Sequence, residues 1–426
     1  MCFGMEPSKA DCFVSICIET SAVLKRGFLA QAGPMTYAQD HIKLPPQTIS
    51  KPEEDMFPQC EINPFISAAP VYIPGRTPAD LLGRQAFLVV KMASNENPLG
   101  PSPKAIEAAQ TALLRANLYP GTTALDLAAR IANDIGYPIE PHNVLVTSGA
   151  TEAIRLLFQT FLLPGRQLMT GSITFPLYRI CAAQLGAVTR PIPMTDRYQL
   201  DLDRMLRAHK GETKVVMLCT PNNPTGLILD RVKIEYFLQQ MPQNTLICID
   251  ESYRGFAAWG GIHQSDPCKY INDFRNVVII RSFSKSAGLA GLRIGYVVAS
   301  EEIIRVLSRA TLPFQVGGVA LAAAAASLTD RVYSQATRSW IEAERDYVLT
   351  GLDAIPGVRC LPTQANFVLI YDLPWTGDVC AELLEQQGFI VRSMESWGVH
   401  RAIRVSLGLR QQNRDFLHAL ARIMRG

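Results

Sequence analysis

The 426-residue sequence lacks long apolar runs, a strong charge of either sign and clustered cysteines. No stretch approaches the roughly 20 apolar residues of a membrane-spanning helix. Lysine and arginine exceed aspartate and glutamate by 41 − 38 = 3, an excess too small to predict nucleic acid or a membrane as partner. The ten cysteines include no CxxC pair and the six histidines no i, i+4 pair. We therefore predict no metal site and a reduced, cytoplasmic protein.

The chain has instead the composition of a globular protein with a large core. Hydrophobic residues make up 48% and charged residues 19%, which argues against disorder. We predict an N-terminal extension over residues 1–56 that is flexible, an N-terminal arm over 57–95, a large domain over 96–308 and a small C-terminal domain over 309–426. The extension stands apart because residues 45–55 are rich in proline, lysine and glutamate, as in linkers.

Short apolar runs alternate with amphipathic stretches along most of the chain. Lys214–Cys219, Thr245–Asp250 and Val277–Arg281 are continuous apolar runs, which are typical of buried parallel strands. Ser102 and Pro103 begin a helix as N-cap and first residue, with an apolar face at Ile106, Ala109 and Leu113. The alanine run 322–326 predicts a helix packed closely on a neighbour. The pattern predicts an α/β fold, mostly parallel, with a smaller α+β domain at the C-terminus.

Polar groups follow several of these strands, at the edge where sites form in such sheets. The string "TSGATEAI" places the amides of Gly149, Ala150 and Thr151 at a helix N-terminus, which favours phosphate binding. A plain strand-turn-helix connection capped by Thr151 is the alternative. Asp250 ends an apolar strand, where a carboxylate is costly unless it meets a cation such as a protonated pyridine nitrogen. A buried salt bridge or a helix cap would also explain it.

Lys285 follows another apolar strand, in "SFSKSAGLAGLRIGY". Desolvation there lowers the pKa of the amine and makes it a Schiff-base nucleophile, although a surface lysine is the commoner case. The glycines of this string do not form GxGxxG, which counts against a Rossmann dehydrogenase. The loop "TPNNPTG" presents Asn223 rigidly, Tyr178 offers a ring for stacking, and Arg392 and Arg404 offer guanidinium groups to an anion.

Together these strings resemble the fold type I aminotransferases, which depend on pyridoxal 5′-phosphate (PLP), from about residue 62 to the C-terminus. The segments 63–76 and 91–105, with Tyr119-Pro120, resemble the histidinol-phosphate aminotransferase subgroup. The resemblance implies a seven-stranded type of sheet, catalysis by Lys285, Asp250 and Tyr253, and Tyr178 stacked on the cofactor ring. It assigns to the cofactor Gly149, Ala150, Thr151, Tyr178, Asn223, Asp250, Tyr253, Ser282, Ser284, Lys285, Arg293 and, from the other subunit, Tyr119. It assigns the anionic group of the substrate to Tyr72, Arg392 and Arg404.

The resemblance thus implies a homodimer with shared active sites, an amino donor and a keto acid as ligands, and ping-pong transfer from histidinol phosphate to 2-oxoglutarate in histidine biosynthesis. Two departures leave alternatives open. Val399-His400 replaces the usual Leu-Pro, and Leu409 replaces the usual threonine after Gly408. An aminotransferase for aromatic or specialised amino acids, a PLP-dependent decarboxylase of a phosphorylated amino acid, and a PLP-binding regulator without catalysis are the rival hypotheses.

Overall fold

The computed structural model describes residues 62–76, 89–121, 124–257 and 266–425. The predicted extension 1–56 and much of the arm 57–95 lie outside these ranges, so those predictions stay predictions. The described residues from Pro64 onward form one compact unit. Within the described ranges, no helix combines the length and the apolar character that crossing a membrane requires. The same ranges contain no group of three or more His, Cys, Asp or Glu side chains placed to hold a metal ion.

The strands form a seven-stranded, a four-stranded and a two-stranded sheet. They are β1 (Val90–Lys91), β2 (Val144–Thr147), β3 (Gln167–Gly171), β4 (Val188–Ile192), β5 (Thr213–Cys219), β6 (Leu246–Asp250), β7 (Val277–Ser282), β8 (Gly295–Ala299), β9 (Arg359–Cys360), β10 (Phe367–Tyr371), β11 (Phe389–Ile390), β12 (Arg392–Ser393) and β13 (Ile403–Ser406).

The seven-stranded sheet has the order β2-β8-β7-β6-β5-β3-β4. All neighbours pair in parallel except β8, which is antiparallel to both β2 and β7. Every residue of β6 is buried, as its continuous apolar sequence predicts, because helices cover both faces of the sheet. The α/β prediction is therefore confirmed, and the carboxyl ends of β5, β6 and β7 lie side by side.

Helices alternate with these strands. They are α1 (Pro64–Ala68), α2 (Pro103–Leu113), α3 (Leu125–Ile135), α4 (Ala150–Phe161), α5 (Leu177–Gln184), α6 (Leu202–Ala208), α7 (Arg231–Gln240), α8 (Tyr270–Asp273), α9 (Glu301–Leu307), α10 (Gly318–Thr329), α11 (Arg331–Asp353), α12 (Gly377–Gln386) and α13 (Arg410–Arg425).

Helix α2 begins as predicted, since the Ser102 side chain accepts a hydrogen bond from the Ala105 amide at 3.1 Å. Its apolar face differs from the prediction, because Leu113 is exposed and only Ala105 is buried. Helix α10 packs against α2, and Ala323 within its alanine run is fully buried. Small side chains let the two helices approach closely, which confirms the interpretation of that run.

The four-stranded sheet is antiparallel, in the order β12-β13-β10-β9. It forms a second apolar cluster with residues of α11, α12 and α13. Helix α10, in contrast, shares the cluster of the seven-stranded sheet. The predicted domain limits at 95/96 and 308/309 stay predictions, and the packing of α10 favours moving the second limit to about Thr329.

Candidate active site

The carboxyl ends of β5, β6 and β7 open into one cavity of about 340 Å³. Helix α4, the residues after β1, and strands β12 and β13 of the second sheet complete its wall. Of the residues predicted from the sequence, those that line the cavity are Tyr72, Ala150, Thr151, Tyr178, Asn223, Asp250, Tyr253, Ser282, Ser284, Lys285, Arg293, Arg392 and Arg404. The fold thus brings together side chains that are as much as 332 positions apart, 404 − 72, in the chain.

Asp250 is buried at the end of β6, where its carboxylate is held by two uncharged donors. The Tyr178 hydroxyl donates to Oδ2 at 2.7 Å, and the Ser252 amide donates to Oδ1 at 2.9 Å. Burial raises the pKa of Asp250, while the hydrogen bonds from Ser252 and Tyr178 oppose that rise. Among the described residues no cation pairs with it, so the carboxylate is positioned to meet a positively charged N–H of a bound molecule.

Tyr178 lines the cavity but is deeply buried. Its side chain is 0% exposed, and its hydroxyl is engaged by Asp250. Phe175 stands edge-on to it, with ring centroids 5.7 Å apart, and Phe175 also lines the cavity. The Tyr178 hydroxyl thus helps to fix the Asp250 carboxylate, and Phe175 is a second aromatic ring in the cavity wall; the stacking of Tyr178 on a cofactor ring stays a prediction. Both aromatic residues belong to the string "TFPLY" in the sequence. Their side chains point in different directions because the helix begins after Pro176, between the two residues.

Lys285 follows β7 and faces the same cavity as Asp250. Its Nζ donates to the Ser94 carbonyl at 3.1 Å and stands 5.4 Å from the centroid of the Tyr253 ring. Desolvation, assisted by the positive charge of Arg404, lowers the pKa of Lys285 to about 8. About 10% of this amine is therefore neutral at pH 7, and the neutral form is the one that acts as a nucleophile.

Two amides and a phenol lie beside the lysine. The Tyr253 hydroxyl accepts a hydrogen bond from Asn95 Nδ2 at 3.0 Å, and Asn223 Oδ1 accepts one from Arg404 at 2.7 Å. Burial raises the pKa of Tyr253 to about 12, so the hydroxyl remains protonated and available as a donor. Asn95 was not predicted as a site residue, although it lies in the segment 91–105 that carries the family resemblance. Its φ of 55°, in the left-handed region that asparagine tolerates, could not be recognised there.

An anion cradle lies at the N-terminus of α4. Gly149, with φ 85°, precedes the amides of Ala150 and Thr151. Arg293 donates to the Ser284 hydroxyl at 3.2 Å. A Cβ at Gly149 would lie 2.8 Å from Arg293 Nη2, so only glycine lets the guanidinium approach this helix end. Helix dipole, free amides and arginine together favour a dianion.

At the second sheet, Arg392 and Arg404 face the cavity. Arg404 donates to the Ala93 carbonyl at 2.6 Å, and Arg392 donates to the Ile73 carbonyl at 2.5 Å. Burial lowers the pKa of Arg404 to about 10, and it lowers the pKa of Arg392 as well. The buried Nε of Arg404 has no hydrogen-bond partner in the described part of the chain. This end of the cavity therefore carries two buried positive charges without a carboxylate partner among the described residues.

Tyr119 is the predicted site residue that the structure places away from the cavity. It is 82% exposed, and its ring stacks on Phe314 with centroids 4.6 Å apart. Gly149 does not line the cavity wall either, although the two residues after it do. Gly149 lies next to the Arg293 guanidinium group, which agrees with its predicted place in the anion cradle.

The arrangement resembles that of known proteins. The family model "Aminotransferase class I and II" matches residues 88–420. Histidinol-phosphate aminotransferase of Anaeromyxobacter sp. (strain Fw109-5) is 37% identical over 366 residues, which cover 85% of this chain and 99% of that protein. The Moorella thermoacetica enzyme of the same name is 36% identical over 370 residues, which cover 86% and 93%.

A solved structure shows the same fold. It is the histidinol-phosphate aminotransferase of Sinorhizobium meliloti in complex with PLP, which matches with a TM-score of 0.75 at 24% identity and covers 85% of this chain and 97% of its own. The fold likeness, the family match over residues 88–420 and the relatives that are more than a third identical agree with one another. The chain therefore belongs to the class I and II aminotransferases.

Proposed function

We propose that the protein is a PLP-dependent aminotransferase that transfers the amino group of histidinol phosphate to 2-oxoglutarate. The single observation that carries the proposal is the placement of Lys285 and Asp250. They lie at the ends of neighbouring strands β7 and β6, in one cavity that also holds an arginine pair. The names of the relatives support the choice of histidinol phosphate.

The donor set fits PLP. Asp250 would meet the ring nitrogen, Asn223 and Tyr253 the ring oxygen, and Lys285 the aldehyde carbon. The cofactor phosphate would be held by Gly149, Ala150, Thr151, Ser282, Ser284 and Arg293. Gly149 has no Cβ, and a Cβ there would lie only 2.8 Å from Arg293. The guanidinium group can therefore lie close to the helix N-terminus, which favours a tightly held anion at this position. When bound, PLP supplies an electron sink that stabilises a carbanion at the Cα of the substrate.

Two residues of the chain would control the positions of protons during the reaction. Lys285, whose pKa is lowered to about 8, is partly neutral, so it can bond to the cofactor. With a substrate bound in its place, the free Nζ of Lys285 would take up the proton from the substrate Cα. Asp250, fixed by Tyr178 and Ser252, would face the cationic ring N–H of the bound cofactor and would keep the proton on that nitrogen.

The other end of the cavity selects the substrate. Arg392 and Arg404 supply two positive charges, and Tyr72 stands in the same wall. Two guanidinium groups suit a phosphate, because its oxygens accept several charge-assisted hydrogen bonds at once. The donor proposed here carries such a phosphate at the end remote from its amine, which would orient the amine towards Lys285.

A half-reaction test separates the hypotheses. Histidinol phosphate, phenylalanine and a phosphorylated amino acid are mixed in turn with holoenzyme, and the visible absorbance of the cofactor is followed. We expect loss of the band at the lowest concentration with histidinol phosphate, recovery on addition of 2-oxoglutarate, and no change in Lys285→Ala. Preference for phenylalanine would instead support the aromatic aminotransferase. Release of carbon dioxide without need for a keto acid would support a decarboxylase, and absence of turnover a non-catalytic regulator.

We also propose that the active protein is a homodimer in which Tyr119 reaches the cofactor phosphate of the other subunit. Support comes from the exposed apolar side chains of this region, which include Leu113, Leu114, Leu118, Tyr119 and Phe314. Such a patch on a globular protein is typical of an interaction surface.

A mixing experiment tests the sharing. Lys285→Ala and Tyr119→Ala are each assayed at limiting PLP, then unfolded and refolded together. Mixed dimers would contain one site with both native residues, so activity should rise well above the sum of the two parents. Activity equal to that sum would contradict shared sites.

A further inference from the structure

The arginine pair at the substrate end is an unusual arrangement in a sheet. Arg392 and Arg404 are directly opposite each other in the antiparallel register of β12 and β13, and they are only 8% and 5% exposed. Like charges directly opposite in a sheet are destabilising. Within the residues that the structure describes, neither forms an ion pair; their side chains donate to carbonyl and amide oxygens instead.

One aromatic ring contacts both guanidinium groups. The centroid of the Trp397 ring is 5.9 Å from Cζ of Arg392 and 5.5 Å from Cζ of Arg404. These distances are within the range of cation–π attraction, for which tryptophan is the best partner. Phe367 also contacts Arg404, at 5.4 Å. Trp397 is 4% exposed and lies behind the arginines rather than in the cavity wall.

The turn that carries Trp397 is held firmly. It joins β12 to β13, the two strands that bear the arginines. Within it, Glu395 accepts hydrogen bonds from the Gly377 amide, the Arg401 amide and His400 Nδ1, each at 2.7 Å. The first of these ties the turn to the N-terminus of α12. These hydrogen bonds fix the turn relative to both strands, and the Trp397 side chain is buried within it.

We propose that Trp397 is a positioning residue that keeps the two guanidinium groups together, so that they bind one doubly charged group of the substrate. The inference rests on the proposed function only in assigning the arginine pair to the substrate. The indole offsets part of the repulsion between the empty guanidinium groups. Without it, the two groups would move apart and would no longer contact the same anion. A ligand with a single negative charge, which one arginine suffices to hold, depends less on this spacing.

The test measures anion binding to the holoenzyme by calorimetry, with inorganic phosphate as the dianionic probe and acetate as the monoanion. Trp397→Leu removes the aromatic face, and Trp397→Phe keeps one. Since two cation–π contacts are lost in the leucine variant, we expect phosphate affinity to fall about tenfold or more, and to stay within about threefold of the native value with phenylalanine. Acetate affinity should change less than phosphate affinity in both.

Kinetics and a control variant separate positioning from folding. With the best amino donor found, Trp397→Leu should raise KM while kcat at saturation stays within about twofold. Trp340→Leu removes another buried tryptophan, from the cluster of the second sheet; it should lower the melting temperature and leave phosphate affinity unchanged.

Equal phosphate affinity in Trp397→Leu and native protein would overturn the inference, as would equal losses in the leucine and phenylalanine variants. Calorimetry needs no turnover. If the protein did not react with histidinol phosphate but the variants lost phosphate affinity as expected, only the proposed amino donor would be refuted.

Discussion

The reactivity of Lys285 should depend on pH in a way that the cavity determines. Desolvation and the charge of Arg404 lower its pKa from 10.5 to about 8. At pH 7 a group with a pKa of about 8 is neutral in roughly 10% of molecules, against roughly 0.03% for one with a pKa of 10.5, a ratio of about 300. The shift corresponds to about 3 kcal/mol of preference for the neutral amine.

The assay is reconstitution of apoenzyme with PLP between pH 6 and 10, followed by visible absorbance. Each rate is divided by the rate of PLP with the neutral form of Nα-acetyl-lysine at the same pH, which removes the titration of the cofactor and leaves that of Lys285. The neutral amine reacts, so the rate should rise with pH and level off above a midpoint of about 8. Arg404→Gln removes a neighbouring positive charge, which should raise the pKa and move the midpoint upward. Arg410→Gln is the matched control, since Arg410 pairs with Glu344 outside the cavity.

A midpoint at or above about 10, the ordinary lysine value, would refute the reasoning. A downward movement of the midpoint in Arg404→Gln would contradict the assigned cause, because loss of a nearby cation must favour the ammonium form.

Three further substitutions test separate parts of the site. Tyr178→Phe removes a hydrogen-bond donor to Asp250. Because a hydrogen bond to a charged group contributes about 1.5–3 kcal/mol, we expect PLP affinity or kcat to fall about tenfold or more. Unchanged values of both would contradict the positioning role of Tyr178. Gly149→Ala places a methyl group 2.8 Å from Arg293 at a φ of 85°, so equilibrium titration should show weaker PLP binding, whereas native affinity would argue against the cradle. Arg392→Gln should raise KM for histidinol phosphate about tenfold or more with a smaller change in kcat; a fall in kcat alone would assign this arginine elsewhere.

Much of the fold was predictable because its sheet is buried on both faces. The strands that carry the chemistry are continuous apolar runs, and the polar residue after each run marks its end. Asp250 and Lys285 could therefore be placed at one edge before any coordinates were known. The Asn223 loop could be placed in the same way, since two prolines and a glycine restrict it.

The directions of individual side chains were not predictable. Tyr178 and Phe175 are equally aromatic, and only the geometry of α5 shows that the tyrosine hydroxyl reaches Asp250. Trp397 contacts both arginines because a turn folds back over its own strands, which no periodicity in the sequence indicates. Leu113 belongs to an apolar helix face in the sequence, but it is exposed, and no contact among the described residues explains its apolar character.

The central claim is that Lys285 bonds covalently to PLP while Asp250 faces the ring nitrogen. Borohydride reduction of the holoenzyme, followed by proteolysis and peptide mass spectrometry, tests it most directly. We expect one cofactor fixed on the peptide that contains Lys285, and none in Lys285→Ala. Cofactor found on a different lysine, or none on any peptide of an enzyme that is active with PLP, would contradict it.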